Sequence, residues 1–211
     1  KNVENEGVYN SAIAPIANAE TIYLNGVPFT SGETVSNVGY HSMRIEGVGG
    51  YVHEISFTIN VRIDGVKNGE YYQGAVCPSI NSDQILLNGN PYESGTVIST
   101  IGYYKIKIMG VGGYEKELSF TISDNLQGLT NGATYQENVT PIFNSATTVT
   151  LDGATFTSGT PILSSNIGIH KLKIVGVGGY EKEYVFTIIP TVENIEVGGT
   201  YQGSVSPVIN G

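Results

Sequence analysis

Between Tyr103 and Ile122 apolar and polar positions alternate. Tyr104, Ile106 and Ile108 are separated by Lys105 and Lys107, and beyond a run of glycines Leu118, Phe120 and Ile122 are separated by Ser119 and Thr121. Period two on both arms predicts a hairpin with one buried and one wet face. The phase returns in Met43 and Ile45 with Ile55, Phe57 and Ile59, and again in Leu172 and Ile174 with Tyr184, Phe186 and Ile188. No stretch keeps apolar residues three and four apart, so helix is expected to be almost absent.

Shorter strands are predicted before each long hairpin. In the second unit, residues 60–66 alternate into a Gly turn, and residues 70–80 read as extended. Pro78 lies in that extended stretch and cannot donate to a ladder, which predicts a sheet edge. Residues 84–87 run into Asn88-Gly89, a hairpin turn signal because both turn residues need positive φ. Residues 91–95 form the return, Gly95 turns the chain, and 96–99 is a further brief strand. Six or seven short strands with turns roughly every 8–12 residues predict a small two-sheet sandwich of immunoglobulin type. Its expected core adds Tyr9, Tyr72 and Tyr135, Leu24, Leu87 and Leu151, and Phe29, Tyr92 and Phe156 to the alternating arms.

The pattern is a tandem repeat. A Tyr stands six residues before a Pro four times: Tyr9/Pro15, Tyr72/Pro78, Tyr135/Pro141 and Tyr201/Pro207. The Pro positions step by 63, 63 and 66, and Phe57, Phe120 and Phe186 step by 63 and 66. Steps so regular mean copies of one module. The expected modules are 1–59, 60–122 and 123–189, with 190–211 supplying the first strand or strands of a fourth, incomplete repeat. A last strand followed by three permuted modules is the other parse. On either parse the chain reads as a segment of a longer array.

Composition narrows the function. The net charge of −9 is spread along the chain and no Lys/Arg run occurs, which argues against binding nucleic acid or an anionic membrane through charge. No apolar stretch is long enough for membrane insertion, and no signal peptide is read, as expected of an internal segment. The single cysteine, Cys77, permits neither an internal disulfide nor a Cys-based metal site. It aligns with Ala14 and Thr140 and reads as an incidental small residue.

The Gly-rich runs at 47–54, 110–117 and 176–183 are read as hairpin tips. A phosphate loop needs a following helix N-terminus, and strand alternation follows here instead. His41 and His170 are equivalent and point inward by phase, where the second repeat has Tyr104; a repeated metal site is excluded because that repeat has no His. His53 is read as a surface group. Asp64, Asp83, Asp124 and Asp152 do not recur at matching positions and form no calcium loop. Neither a G-x-S-x-G motif nor a paired-acid cleft is read. No enzyme activity, metal or cofactor is expected. A Lys–Asn/Asp crosslink needs a buried Lys, whereas the strand lysines fall on the wet phase. The one candidate ligand site is Tyr51, Tyr114 and Tyr180 beside the tips, which could stack on sugar rings; the alternative is that each packs on its own or the neighbouring module.

The order G-x-Y-x-x-x-V-x-P, L-N-G-x-P-Y/F-x-S-G, G-x-Y-x-[LI]-x-[IV], a Gly turn and x-x-F-T-I resembles bacterial Ig-like repeats. The likeness covers all three units and the terminal segment. It departs at "GVGGY", where many such repeats have an Asp-x-x-Gly-Asn turn. The resemblance implies tandem Ig-like modules in a linear rod, serving as stalk, spacer or adhesive segment of a bacterial cell-surface or secreted protein. Neighbouring modules of the same chain are its expected partners. Two other readings stay open: a module binding host protein or glycan, as an accessory to a secreted enzyme would, and a subunit of a self-assembling layer or filament pairing through an edge strand.

Overall fold

The computed structural model describes residues 3–19 and 21–210. The protein is all-β, with three sheet units in tandem. The first comprises β1 (Gly7–Tyr9), β2 (Thr21–Leu24), β3 (Val27–Pro28), β4 (Gly39–Glu46) and β5 (Val52–Ile59). The second comprises β6 (Ile63–Asp64), β7 (Tyr71–Tyr72), β8 (Ser79–Ile80), β9 (Gln84–Leu87), β10 (Asn90–Pro91), β11 (Gly102–Met109) and β12 (Glu115–Ile122). The third comprises β13 (Thr134–Tyr135), β14 (Thr148–Leu151), β15 (Ala154–Thr155), β16 (Gly168–Val175) and β17 (Glu181–Ile188). These sets are modules 1, 2 and 3. Beyond them β18 (Thr191–Glu193) pairs antiparallel with β19 (Val208–Asn210), so residues 190–211 carry two strands that partner each other. By contacts the chain divides into two compact units, residues 1–70 with 76–98 and 104–120, and residues 71–75 with 99–103 and 121–211. That division runs through module 2.

Each module has one five-stranded sheet of the same order: β1-β5-β4-β2-β3, β7-β12-β11-β9-β10 and β13-β17-β16-β14-β15. The short first strand runs parallel to the last one, as in Gly7↔Phe57 and Thr134↔Thr187. The second layer is thin. In module 2 it is β6 on β8 plus a bridge between Val76 and Ile98. In the others it reduces to the bridges Ile13↔Val35, Gln127↔Ile142 and Val139↔Ile162.

The arms of the long hairpin fill the space between layers. Ile106, Ile108 and Ile122 have no exposed surface and Phe120 almost none. The bridged pairs Ile13/Val35, Val76/Ile98 and Val139/Ile162 face them from the thin layer and are equally buried. The expected Leu24, Phe29, Tyr9 and their equivalents are only half-buried. On the wet face Lys105–Glu117 and Lys107–Glu115 pair at 2.8 Å, and Lys171–Glu183 and Lys173–Glu181 at 3.0 and 2.8 Å. Such exposed pairs contribute about 0–1 kcal/mol each.

Two expectations are corrected. The stretch 96–99 forms no strand, only the Ile98 bridge. Pro78 is not at an edge, since its stretch is paired to β6 on one side and bridged to Ile98 on the other. It is tolerated because Pro78 still accepts from Gly95 N–H at 2.8 Å and only its missing donor is skipped. The same bond joins Gly32 to Pro15 and Gly159 to Pro141. The neighbouring Ser hydroxyls accept from Ala17, Ile80 and Phe143 N–H, so each "SG" pair ties the thin layer together. Asn25, Asn88 and Asp152 turn the β2–β3, β9–β10 and β14–β15 hairpins with φ near +50°. Their carboxamide or carboxylate oxygens also accept from Ser42, Lys105 and Lys171 N–H.

Candidate functional site

The Gly-rich runs are hairpin tips with a common internal geometry. Gly47, Gly110 and Gly176 donate to the carbonyls of Tyr51, Tyr114 and Tyr180 at 2.8–2.9 Å. Those tyrosines donate back to Val48, Val111 and Val177 at 3.3–3.4 Å.

Two of the three tips are engaged with the module before them. In the first compact unit Val111 bridges Gly39 in parallel. It donates to Val38 O at 2.8 Å and accepts from Tyr40 N–H at 2.9 Å. The Tyr114 ring meets Tyr40 edge-on at 5.3 Å between centroids, and its hydroxyl accepts from Val61 N–H. The second unit repeats this. Val177 bridges Gly102, donates to Ile101 O at 2.8 Å and accepts from Tyr103 N–H at 3.0 Å. Tyr180 lies 5.2 Å from the Tyr103 ring, and its hydroxyl accepts from Asp124 N–H. These contacts explain the glycines flanking each Val. A Cβ on Gly110 or Gly112 would sit 2.4 Å from a module 1 carbonyl oxygen, and one on Gly176 or Gly178 within 2.2 Å of a module 2 carbonyl. For Tyr114 and Tyr180 this engagement is the alternative the sequence offered, packing on the neighbouring module; the backbone pairing of Val111 and Val177 carries no side-chain signature and was not foreseen.

The three candidate tyrosines therefore differ. Tyr114 is 6% exposed and Tyr180 2%, both sealed in joints with no free ring face. Tyr51 is 61% exposed. It borders a shallow groove of about 410 Å³ that also takes in Ile16, Ile45 and Ile55. A polar cleft of about 420 Å³ lies beside the first joint, lined by Asn37, Asn81, Asp83 and Gln84. Of the three tyrosines only Tyr51 could stack on a sugar.

The equivalent histidines are built in differently. His41 is buried and stacks on Phe57 at 5.0 Å. Asn25 donates to its Nδ1 at 3.1 Å, and its Nε2–H donates to Asn37 O at 2.9 Å. In module 3 Asp152 replaces Asn25. His170 then donates from both nitrogens, to Asp152 Oδ2 and to Asn166 O, each at 2.7 Å, the pattern of an imidazolium. Burial opposes that charge, but the Asp152 carboxylate and Asn166 carbonyl outweigh it and raise the His170 pKa above its ordinary value. A raised folded pKa adds stability that is full below about pH 6.5 and lost as pH rises through the folded value. Urea unfolding followed from mildly acidic to mildly alkaline pH should show module 3 weakening on the alkaline side. Asp152→Asn should flatten that slope.

A second cluster escaped the sequence reading. Asp124, 3% exposed, accepts from the Tyr184 hydroxyl, and Lys182 Nζ stands 3.4 Å from its Oδ1. Burial disfavours the Lys182 charge, yet the Tyr180 hydroxyl and the Asp124 carboxylate prevail and hold the ammonium above the ordinary lysine range. Burial and the same carboxylate raise the Tyr184 phenol. The Lys182 side chain is 46% exposed and is not the buried lysine a crosslink needs, so the pairing with Asp124 reads as an ion pair. Val61 and Leu118 occupy the places of Asp124 and Tyr184 one repeat earlier, which is why repetition gave no hint of this cluster. Among the described residues no group of three or more His, Cys, Asp or Glu could hold a metal, and His53 and Cys77 are exposed.

No protein-family model matches the chain, and no curated protein matches it. Solved structures of tandem immunoglobulin domains do. The N-terminal eight Ig domains of Down syndrome cell adhesion molecule share 12% identity over 88% of this chain and 39% of that one, with a TM-score of 0.22. Sidekick-1 immunoglobulin domains 1–5 share 12% over 87% and 56%, with a TM-score of 0.21. The insect immune protein hemolin shares 9% over 87% and 72%, with a TM-score of 0.23. The chain thus spans well under half of the first of these structures and just over half of the second. Likenesses at these scores carry no argument; what the modules themselves show is an all-β repeat with one five-stranded sheet of common order and a thin second layer.

Proposed function

We propose that this chain is a non-catalytic spacer or stalk segment of an extracellular, cell-surface protein, of the kind that bacterial surface arrays use. The observation that carries the reading is that both described joints are built interfaces without free linker. Asn60 donates to Tyr9 O and Ser123 to Tyr72 O, both at 2.8 Å, and the next residues, Val61 and Asp124, are already buried. A segment made to hold successive modules at fixed attachments suits presenting something at a distance.

The test displays the chain on a cell surface below a reporter binder. Removing one module, residues 60–122, should reduce capture of large targets by the binder and leave capture of small soluble targets unchanged. Equal capture of both by the shortened and full forms would refute the spacer role.

The exposed Tyr51 and its groove favour one second reading, a glycan- or host-protein-binding module. Glycan arrays and immobilised matrix proteins should then retain the wild-type chain and release Tyr51→Ala. Retention that ignores Tyr51→Ala, or none, removes that reading.

A further inference from the structure

We propose that the polar cleft beside the first joint is a binding site for a neutral sugar. The two joints share one design and differ at one place. At the second joint Ile101 N–H donates to Ser145 O at 2.7 Å, and the Asn144 carboxamide donates to Gln73 O and Ser123 O at 2.8 and 2.9 Å. Val38, Asn81 and Ser82 hold the equivalent places at the first joint. There Asn81 turns back to accept from Arg62 N–H in its own module, and the Ser82 hydroxyl donates to Met109 O. Val38 is 4% exposed, and its N–H has no protein acceptor among the described residues. A buried N–H left so is rare. Loop length accounts for the difference. Asn88 follows Asn81 by seven positions, whereas Asp152 follows Asn144 by eight. The shorter loop stops short of the joint, and the cleft of about 420 Å³ opens there, lined by both Val38 and Ser82.

The lining selects the ligand. Ser36, Asn37, Asp83 and Gln84 border the cleft, and their side chains make no hydrogen bond among the described residues. Asp83 and the net charge of −9 refuse an anion. A cation satisfies Asp83 but cannot accept from Val38 N–H. A hydroxyl does both, and several hydroxyls on one compact frame meet the carboxylate, the carboxamides and the N–H together. Met109 and Val111, both half-buried, supply the apolar part of the wall, where the C–H face of a sugar ring rests. The volume falls within the about 300–1,000 Å³ usual for small-molecule sites. A bound hydroxyl accepting from Val38 N–H restores what Ser145 O provides at the second joint, so the sugar also fastens the first joint. The cleft is separate from the Tyr51 groove, and the inference rests on neither the spacer nor the Tyr51 reading.

Amide NMR of the full chain tests it with glucose, N-acetylglucosamine, cellobiose and chitobiose, each raised into the tens of millimolar. At least one of these should shift the Val38, Ser82 and Asp83 amides saturably. The same sugar should slow hydrogen exchange at Val38 several-fold and leave Ile101 unchanged. Phosphate, methylammonium and acetamide should move none of them. Asp83→Ala/Gln84→Ala changes exposed residues and should weaken the sugar by at least about tenfold, whereas Tyr51→Ala should bind as the wild type does. Replacing Asp83-Gln84 by Ala-Thr-Thr, the longer loop at 146–148, should protect Val38 N–H without sugar and abolish the shifts. No saturable shift at Val38 with any of the four sugars overturns the proposal, as does saturation by a control compound alone. So does a response centred on Tyr51, which would place the sugar in that groove, or one that survives the longer loop.

Discussion

Phe186→Ala is expected to unfold module 3 while module 1 stays folded. Phe186 is 1% exposed and packs among Leu172, Ile174, Ile188 and Ile162. Its ring meets Tyr135 edge-on at 6.1 Å and lies 5.3 Å from His170. The second layer above it is only two bridges thick and cannot slump into the space vacated. Truncating a buried Phe costs about 3–5 kcal/mol, while a module of this size holds about 3–10 kcal/mol in total. Urea denaturation monitored by amide NMR should show residues of β16 and β17 losing protection first, with β4 and β5 holding their wild-type midpoint. A single transition at one shared midpoint would mean that the modules unfold as a block and would refute the local picture.

Gly102→Ala should release the tip of module 3 from module 2 although it adds a single methyl group. The new Cβ would lie 2.7 Å from Val177 O and 2.8 Å from Val177 N and Cβ. Most of that obstacle is backbone, which no side-chain rotation relieves. Losing the two Val177 backbone bonds and the burial of Tyr180 costs about 2–6 kcal/mol. Hydrogen exchange at Tyr103 and Val177 N–H should accelerate by at least about tenfold. Gly74→Ala, where nothing lies within 4 Å of the added atom, should leave both amides unchanged. Equal protection in Gly102→Ala and wild type would show that the joint yields without breaking.

The long hairpins were legible because burial on one face writes period two directly into the side chains. Ile106, Ile108, Phe120 and Ile122 are as dry as their phase predicts. The Asn-Gly hairpin turns were legible for a related reason, since positive φ selects few residue types. The thin layer was harder. Its strands are held by short pairings and by the Ser and Gly of each "SG" pair, so 70–80 reads as one extended strand and is broken into β7, the Val76 bridge and β8, while 96–99 keeps only the Ile98 bridge. The tips were legible as turns, and contact with a neighbouring module only as one of two readings of their tyrosines. Val48, Val111 and Val177 are the same letter in the same run; whether each is exposed depends on what precedes it in the chain. For that reason sequence placed Tyr51, Tyr114 and Tyr180 together as one kind of site, and the structure separates Tyr51 from the other two. Asp124 was illegible because its partners, Tyr184 and Lys182, come from a strand about sixty residues further along.

In every copy the opening strand lies parallel to the closing one, β1 on β5, β7 on β12 and β13 on β17. Hauling on the two ends of such a unit drags these strands lengthwise past each other. Their few rungs, with the Asn5, Asn68 and Asn131 side chains clasped to Ser56, Ser119 and Val185, must then give way together, not singly as in a peeled hairpin. Each copy behaves as a mechanical fuse in series. The first to rupture pays out about 200 Å of slack, and that slack unloads its intact neighbours.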